Sequence, residues 1–222
     1  MKNVIILGGG TSIQKGIDTG LWEKIENKEV WSLNSIYKIM PYNPKREIWV
    51  DVPFFTHDML DLQKMFKEGV ELHCKQHIKY SFLSDRLNQY QTCREREFYG
   101  EKMENVSHVF IGDSGLVGFF ALSLAIREKF DNIYILGYDW GTKSIYDRGT
   151  HVYQDKIKEL NIRSKGAGNP EIYLNSNDRP NKHVHDFQIY LKENSKIWNV
   201  SPDSNIPYFD KIDYETFYEK IS

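Results

Sequence analysis

Apolar residues fall along this chain in short continuous runs separated by stretches of helical period. Val4-Ile5-Ile6-Leu7 is uninterrupted and is stopped by three glycines, the pattern of a parallel strand covered on both faces. Similar runs predict strands over 29–33, 48–52, 109–111, 133–136 and 196–200, with a weaker one over 70–73. The clearest helix is predicted over 115–130, where Leu116, Phe119, Phe120, Leu122, Leu124 and Ile126 precede Arg127, Glu128 and Lys129. Further helices are expected over 13–25, 57–67, 184–193 and 214–220. Alternation of this kind implies right-handed crossovers and an α/β fold, a doubly wound, mostly parallel sheet with helices on both faces.

In such a sheet ligands lie beyond the carboxyl ends of the strands. The residues there are small and polar: Gly8, Gly9, Gly10, Thr11 and Ser12, then Asn34-Ser35, then Asp51. After the later strands come Gly112-Asp113-Ser114-Gly115, Gly137-Tyr138-Asp139-Trp140-Gly141 and Ser201-Pro202-Asp203. One such turn is ordinary strand-to-helix chemistry, whereas six in succession read as a ligand rim. Residues 143–182 are rich in loop signals and are expected to form a mobile lid inserted into a single domain spanning 1–222.

The turn from Gly8 to Ser12 follows a strand and opens a helix, where free N–H groups favour a phosphate or another anion. It is not a dinucleotide fingerprint: Ile13 stands where the third glycine belongs, and the second strand ends in Asn34 rather than an acid. No lysine follows at P-loop spacing. Ser114 is suited either to capping its helix or to bonding a ligand phosphate. Asp51, Asp113 and Asp139 are suited to hydroxyls or to a cation such as Mg2+, or are plain turn residues. His183 and His185 precede a predicted helix, and histidine is the residue type whose unperturbed imidazole can take a proton near neutral pH, as a general base requires. With His151 and Asp139 they lack defined metal spacing, so no metal site is assigned. Tyr146, between Lys143 and Arg148, is a candidate donor to a leaving phosphate. The basic and aromatic stretch 86–96 is diluted by glutamates and is expected to be a solvated helix face rather than a strand binder.

At 222 residues the chain can bury a sizeable core, and 27% charged against 40% hydrophobic residues fits a globular protein. A net charge of -2 supplies no global basic field for nucleic acid. Cys74 and Cys93 are the only cysteines, which argues against a disulfide framework and, with no membrane span or leader in the pattern, for the cytoplasm.

Several of these motifs are familiar together. Val4-Ile5-Ile6-Leu7-Gly8-Gly9-Gly10-Thr11-Ser12-Ile13, Asn34, Asp51, Asp113-Ser114-Gly115 and Ile133-Tyr134-Ile135-Leu136-Gly137-Tyr138-Asp139 resemble the bacterial CMP-sialic acid-dependent sialyltransferases. They equally resemble the Rossmann-type 6-hydroxymethylpterin pyrophosphokinase-like and motility-associated glycosyltransferase-like group, with small phage proteins of the same build. The resemblance implies a Rossmann-like glycosyltransferase with a nucleotide-sugar as co-substrate and no required cofactor. It implies a donor nucleotide surrounded by Gly8, Gly10, Ser12, Asn34, Ser114, Gly115 and Asp139, its phosphate met by Tyr146, and His183 or His185 as base. Thr11, Asp51 and Trp140 depart from the sialyltransferase pattern and leave the sugar open. The acceptor is equally open, a glycan or, for a phage protein in its host's cytoplasm, DNA. The same resemblance keeps two alternatives: a diphosphokinase-type transferase on a pterin-like hydroxymethyl substrate, and a non-catalytic nucleotide-binding phage accessory protein.

Overall fold

The computed structural model of the chain describes residues 1–75, 86–93, 110–112, 117–139, 196–204 and 209–222. The candidates Asp113, Ser114, Gly115, Tyr146, His183 and His185, the expected lid over 143–182 and the expected helix over 184–193 lie outside the described residues.

Among the described residues nine strands form one sheet: β1 (Asn3–Leu7), β2 (Val30–Leu33), β3 (Arg46–Trp49), β4 (Glu71–Lys75), β5 (Asn88–Cys93), β6 (Phe110–Gly112), β7 (Asn132–Leu136), β8 (Lys196–Asn199) and β9 (Asp210–Lys211). Their order is β6-β5-β4-β3-β2-β1-β7-β8-β9, and every neighbouring pair is parallel. The chain therefore builds outward from β1 to β6, then returns to lay β7 on the other flank of β1. The strand order reverses between β1 and β7, in register from Asn3 opposite Asn132 to Leu7 opposite Leu136.

Both faces are covered, which is why the central strands are apolar at successive positions. On one face α4 (Val117–Arg127) packs Phe119, Phe120 and Leu124 on Val4, Ile6, Trp31, Ile48, Ile133 and Ile135. On the other, α1 (Ile13–Asp18), α2 (Leu21–Ile25), the 3-10 helix Asn34–Ile39 and the C-terminal α5 (Tyr214–Ile221) cover Ile5, Leu7, Tyr134 and Leu136. Farther along that same face α3 (Val52–Lys67) covers Trp49, Leu72 and Cys74. α5 is capped by Asp213, whose side chain accepts from the Thr216 N–H at 2.8 Å.

Local physics moves several expected boundaries. The helix expected over 13–25 is two short helices, because Gly20 adopts φ 81 and the Thr19 hydroxyl bonds back to Lys15 O and Gly16 O at 3.1 Å. The strand expected over 48–52 ends at Trp49, and α3 begins at Val52 with a proline in its first turn, five residues before the expected start. The stretch 86–96, expected as a helix face, holds β5 instead: it pairs with β4 on one side and β6 on the other. The sheet's demand for a partner overrides a sequence with no apolar alternation.

Candidate functional site

The loops after β1 and β7 meet at the reversal of strand order and are zipped to each other. Gly8 N–H donates to Leu136 O at 2.7 Å and Gly10 N–H to Gly137 O at 2.9 Å, carrying the β1–β7 ladder past the strand ends. The glycines are required by this contact. A Cβ on Gly10 would lie 2.6 Å from both Gly137 O and Asp139 Oδ2, and Gly137 itself sits at φ 69.

Asp139 closes the zip. Its Oδ2 accepts from Ser12 N–H at 2.8 Å, and its Oδ1 accepts from the Ser12 hydroxyl in a very short bond. The Ser201 hydroxyl, just past β8, lies 2.6 Å from Ser12 Oγ. A carboxylate only accepts, so Ser12 Oγ–H points at Asp139 and Ser201 must be the donor to Ser12. The result is a directed chain Ser201 to Ser12 to Asp139 across three adjacent strand ends, with Ser201 1% and Asp139 8% exposed. Among the described residues no lysine, arginine or histidine forms an ion pair with Asp139.

The buried Tyr214 and the half-buried Tyr138 hold this arrangement from both sides. Tyr214 of α5 donates to Ser12 O at 3.4 Å; burial, then Tyr218 and Asp139, push its phenol upward, so it stays protonated. Tyr138 packs toward α4 and donates to Gly118 O at 3.3 Å, while the Ser204 hydroxyl donates to Tyr138 O at 2.6 Å.

Asn34 sits at the end of β2, beside β1, with φ 54, a left-handed conformation that asparagine tolerates better than most residues. Its Oδ1 is buried with no hydrogen-bond partner among the described residues. Asp51 is exposed, extended at φ -93 and ψ 130, and precedes α3 without a side-chain capping bond.

Of the predicted rim, Gly8, Gly9, Gly10, Thr11, Ser12 and Asp139 thus come together at the strand-order reversal. Asn34 stands one strand away, and Asp51 at the end of β3, one strand farther. Ser201 joins the first group although the sequence marks it only as a strand-end residue. Its sole signal is its position directly after an apolar strand. Among the described residues no group of three or more His, Cys, Asp or Glu is placed to hold a metal ion, and no helix is long and apolar enough to cross a membrane.

No protein-family model matches the chain, and no curated protein matches it. Among solved structures it is similar to the MAf glycosyltransferase from Magnetospirillum magneticum AMB-1, with a TM-score of 0.56 and 12% identity. The similarity covers 97% of this chain and 34% of that one, so the chain spans about a third of that protein's length. At this identity the likeness is one of fold: the α/β architecture described above is shared with part of that protein.

Proposed function

We propose that the chain is a glycosyltransferase-like enzyme that binds a nucleotide-activated sugar across the strand-end rim and transfers the sugar to a hydroxyl acceptor. The observation that carries this reading is the placement of the Gly8 to Ser12 turn and of Asp139 where the strand order reverses. In open α/β sheets that is where nucleotide ligands lie. The shared fold with a glycosyltransferase supports sugar transfer over other nucleotide chemistry.

Transfer to a hydroxyl needs a group to take the proton as the new bond forms and groups to stabilise the departing phosphate. His183 or His185 is the base in this proposal. Tyr146, with Lys143 and Arg148, offsets charge on the leaving group. Residues 143–182 then serve as the lid of one domain, and no resident cofactor is required.

Removing a general base slows transfer by about a hundred- to ten-thousandfold. A purified His183→Ala, His185→Ala double variant is expected to lose transfer to that extent while still binding donor. Transfer at the wild-type rate in that variant would overturn the assignment of the base.

A further inference from the structure

The segment that carries Asn34 is fastened over a buried acid. Two side chains clip the 3-10 helix Asn34–Ile39 to α3: Lys38 Nζ lies 2.5 Å from Asp58 Oδ1 and 3.3 Å from Asp61 Oδ2, and the Tyr37 hydroxyl donates to Asp61 at 2.8 Å. Behind the clip, on the sheet face that α3 covers, lies Glu47 of β3, 0% exposed, with Asp58 at 2%. Ser32 of β2 bonds one Glu47 oxygen, and Oε1 has no partner among the described residues. Asp58 of α3, with Lys38 and Tyr37 of the 3-10 helix, are the ionisable groups coupled to Glu47.

Three acids thus face one lysine, and the deepest of them holds a proton. Burial pushes the Glu47 carboxyl well above the ordinary range; the Ser32 bond opposes this and Asp58 adds to it. An ionised Glu47 would be a second buried carboxylate beside Asp58, and its unpartnered oxygen would need a donor. Lys38 already acts on it and has three donors on a flexible stem. Turning to Glu47 takes Lys38 off the aspartates and releases the 3-10 helix from α3.

Asn34 depends on that fastening. Its φ of 54 is left-handed and its Oδ1 is buried without a hydrogen bond, a combination that persists only while the surrounding structure holds it. Asn34 opens the 3-10 helix, so the clip one turn later sets where it stands at the rim.

We infer that Lys38 is a positioning residue for Asn34 and that Glu47 makes the clip pH-sensitive: with its proton in place Lys38 holds the 3-10 helix on α3, and on losing it Glu47 draws Lys38 away. The β2 side of the rim is then fixed at neutral pH and loosened at alkaline pH. What the rim binds rests on the nucleotide reading above; the clip itself does not.

Hydrogen–deuterium exchange of residues 34–39, with protection referred to the intrinsic rate at each pH, tests the clip at pH 7 and pH 9 without a ligand. The wild-type segment is expected to lose about tenfold in protection between the two, while α4 keeps its own. Glu47→Gln, which keeps the shape and cannot ionise, is expected to hold full protection at both. Lys38→Met is expected to exchange about tenfold faster already at pH 7, and Lys38→Arg to restore protection. The comparison of wild type with Glu47→Gln decides alone if Lys38→Met does not fold.

Equal protection of the wild-type segment at both pH values, or the same loss in Glu47→Gln, overturns the proposal. So does a CMP-, UDP- or GDP-sugar that binds wild type equally well at pH 7 and pH 9 by calorimetric titration, because Asn34 is part of that site. If none of these donors binds, the nucleotide reading fails, and the exchange result still decides the clip.

Discussion

Glu47 shows how a single residue's surroundings decide its protonation. It lies in β3, fully buried, with the Ser32 hydroxyl donating to one carboxyl oxygen and the other unpartnered among the described residues. Burial pushes its carboxyl well above the ordinary range; the Ser32 bond opposes this, and Asp58 adds to it. A carboxyl raised on folding keeps its proton, so its contribution is intact below the ordinary carboxyl pKa and is lost as pH rises. Glu47→Gln removes that penalty and is expected to raise the melting temperature at pH 8 while leaving it nearly unchanged at pH 4. A lower melting temperature at pH 8 would show that Glu47 is ionised in the fold. The neighbouring Lys38–Asp58 pair at 2.5 Å ties the 3-10 helix behind Asn34 to α3. Nothing in the order of residues announces that cluster, because Glu47 reads as an ordinary polar position until Ser32 and Asp58 are folded around it.

Among the elements, β4 and β5 are joined through a polar network on the α4 face. His73 Nδ1 lies 3.0 Å from the Tyr90 hydroxyl and Nε2 lies 3.1 Å from Glu71, while Arg46 bridges Glu71 at 2.9 Å and Glu128 of α4 at 2.5 Å. Burial, helped by Arg46, lowers the His73 pKa to about 4 from 6.5, so the ring is neutral in the fold. Stability is therefore full above pH 6.5 and falls as pH drops toward 4; the lowered Glu71 carboxyl acts in the same direction. Between pH 7.5 and pH 5 His73 alone removes about 2 kcal/mol. Urea unfolding at the two pH values measures this, and His73→Gln is expected to flatten the difference. An unchanged pH dependence in that variant would place the acid sensitivity elsewhere.

The same elements show what is legible in a sequence. β1 and β7 can be read directly, because strands buried on both faces must be apolar at every position, and α4 can be read from its apolar run. β5, Asn88-Gln89-Tyr90-Gln91-Thr92-Cys93, cannot, because its strand state comes from partners on either side rather than from alternation. β9 is two residues long and carries no period at all.

At the scale of the whole molecule, the site is a consequence of topology. Laying β7 against β1 brings Ser12 and Asp139 together across 127 residues of chain, and β8 then delivers Ser201 to the same point. The strand-end rule found the rim because every parallel strand delivers its following residues to one edge. It could not foresee that Asp139 would turn inward onto Ser12, since that depends on the close approach of Gly10 and Gly137. The likeness to a much longer glycosyltransferase, of which this chain spans about a third, shows the same architecture built into a larger protein.

The central claim is that a nucleotide-activated sugar occupies the edge where β1, β7 and β2 end. Calorimetric titration of CMP-, UDP- and GDP-sugars into wild type, Asn34→Ala and Asp139→Asn tests it most directly. One nucleotide class is expected to saturate a single site on the wild type and to lose at least tenfold in affinity in each variant. The absence of binding by every class, or binding undiminished in both variants, would contradict it.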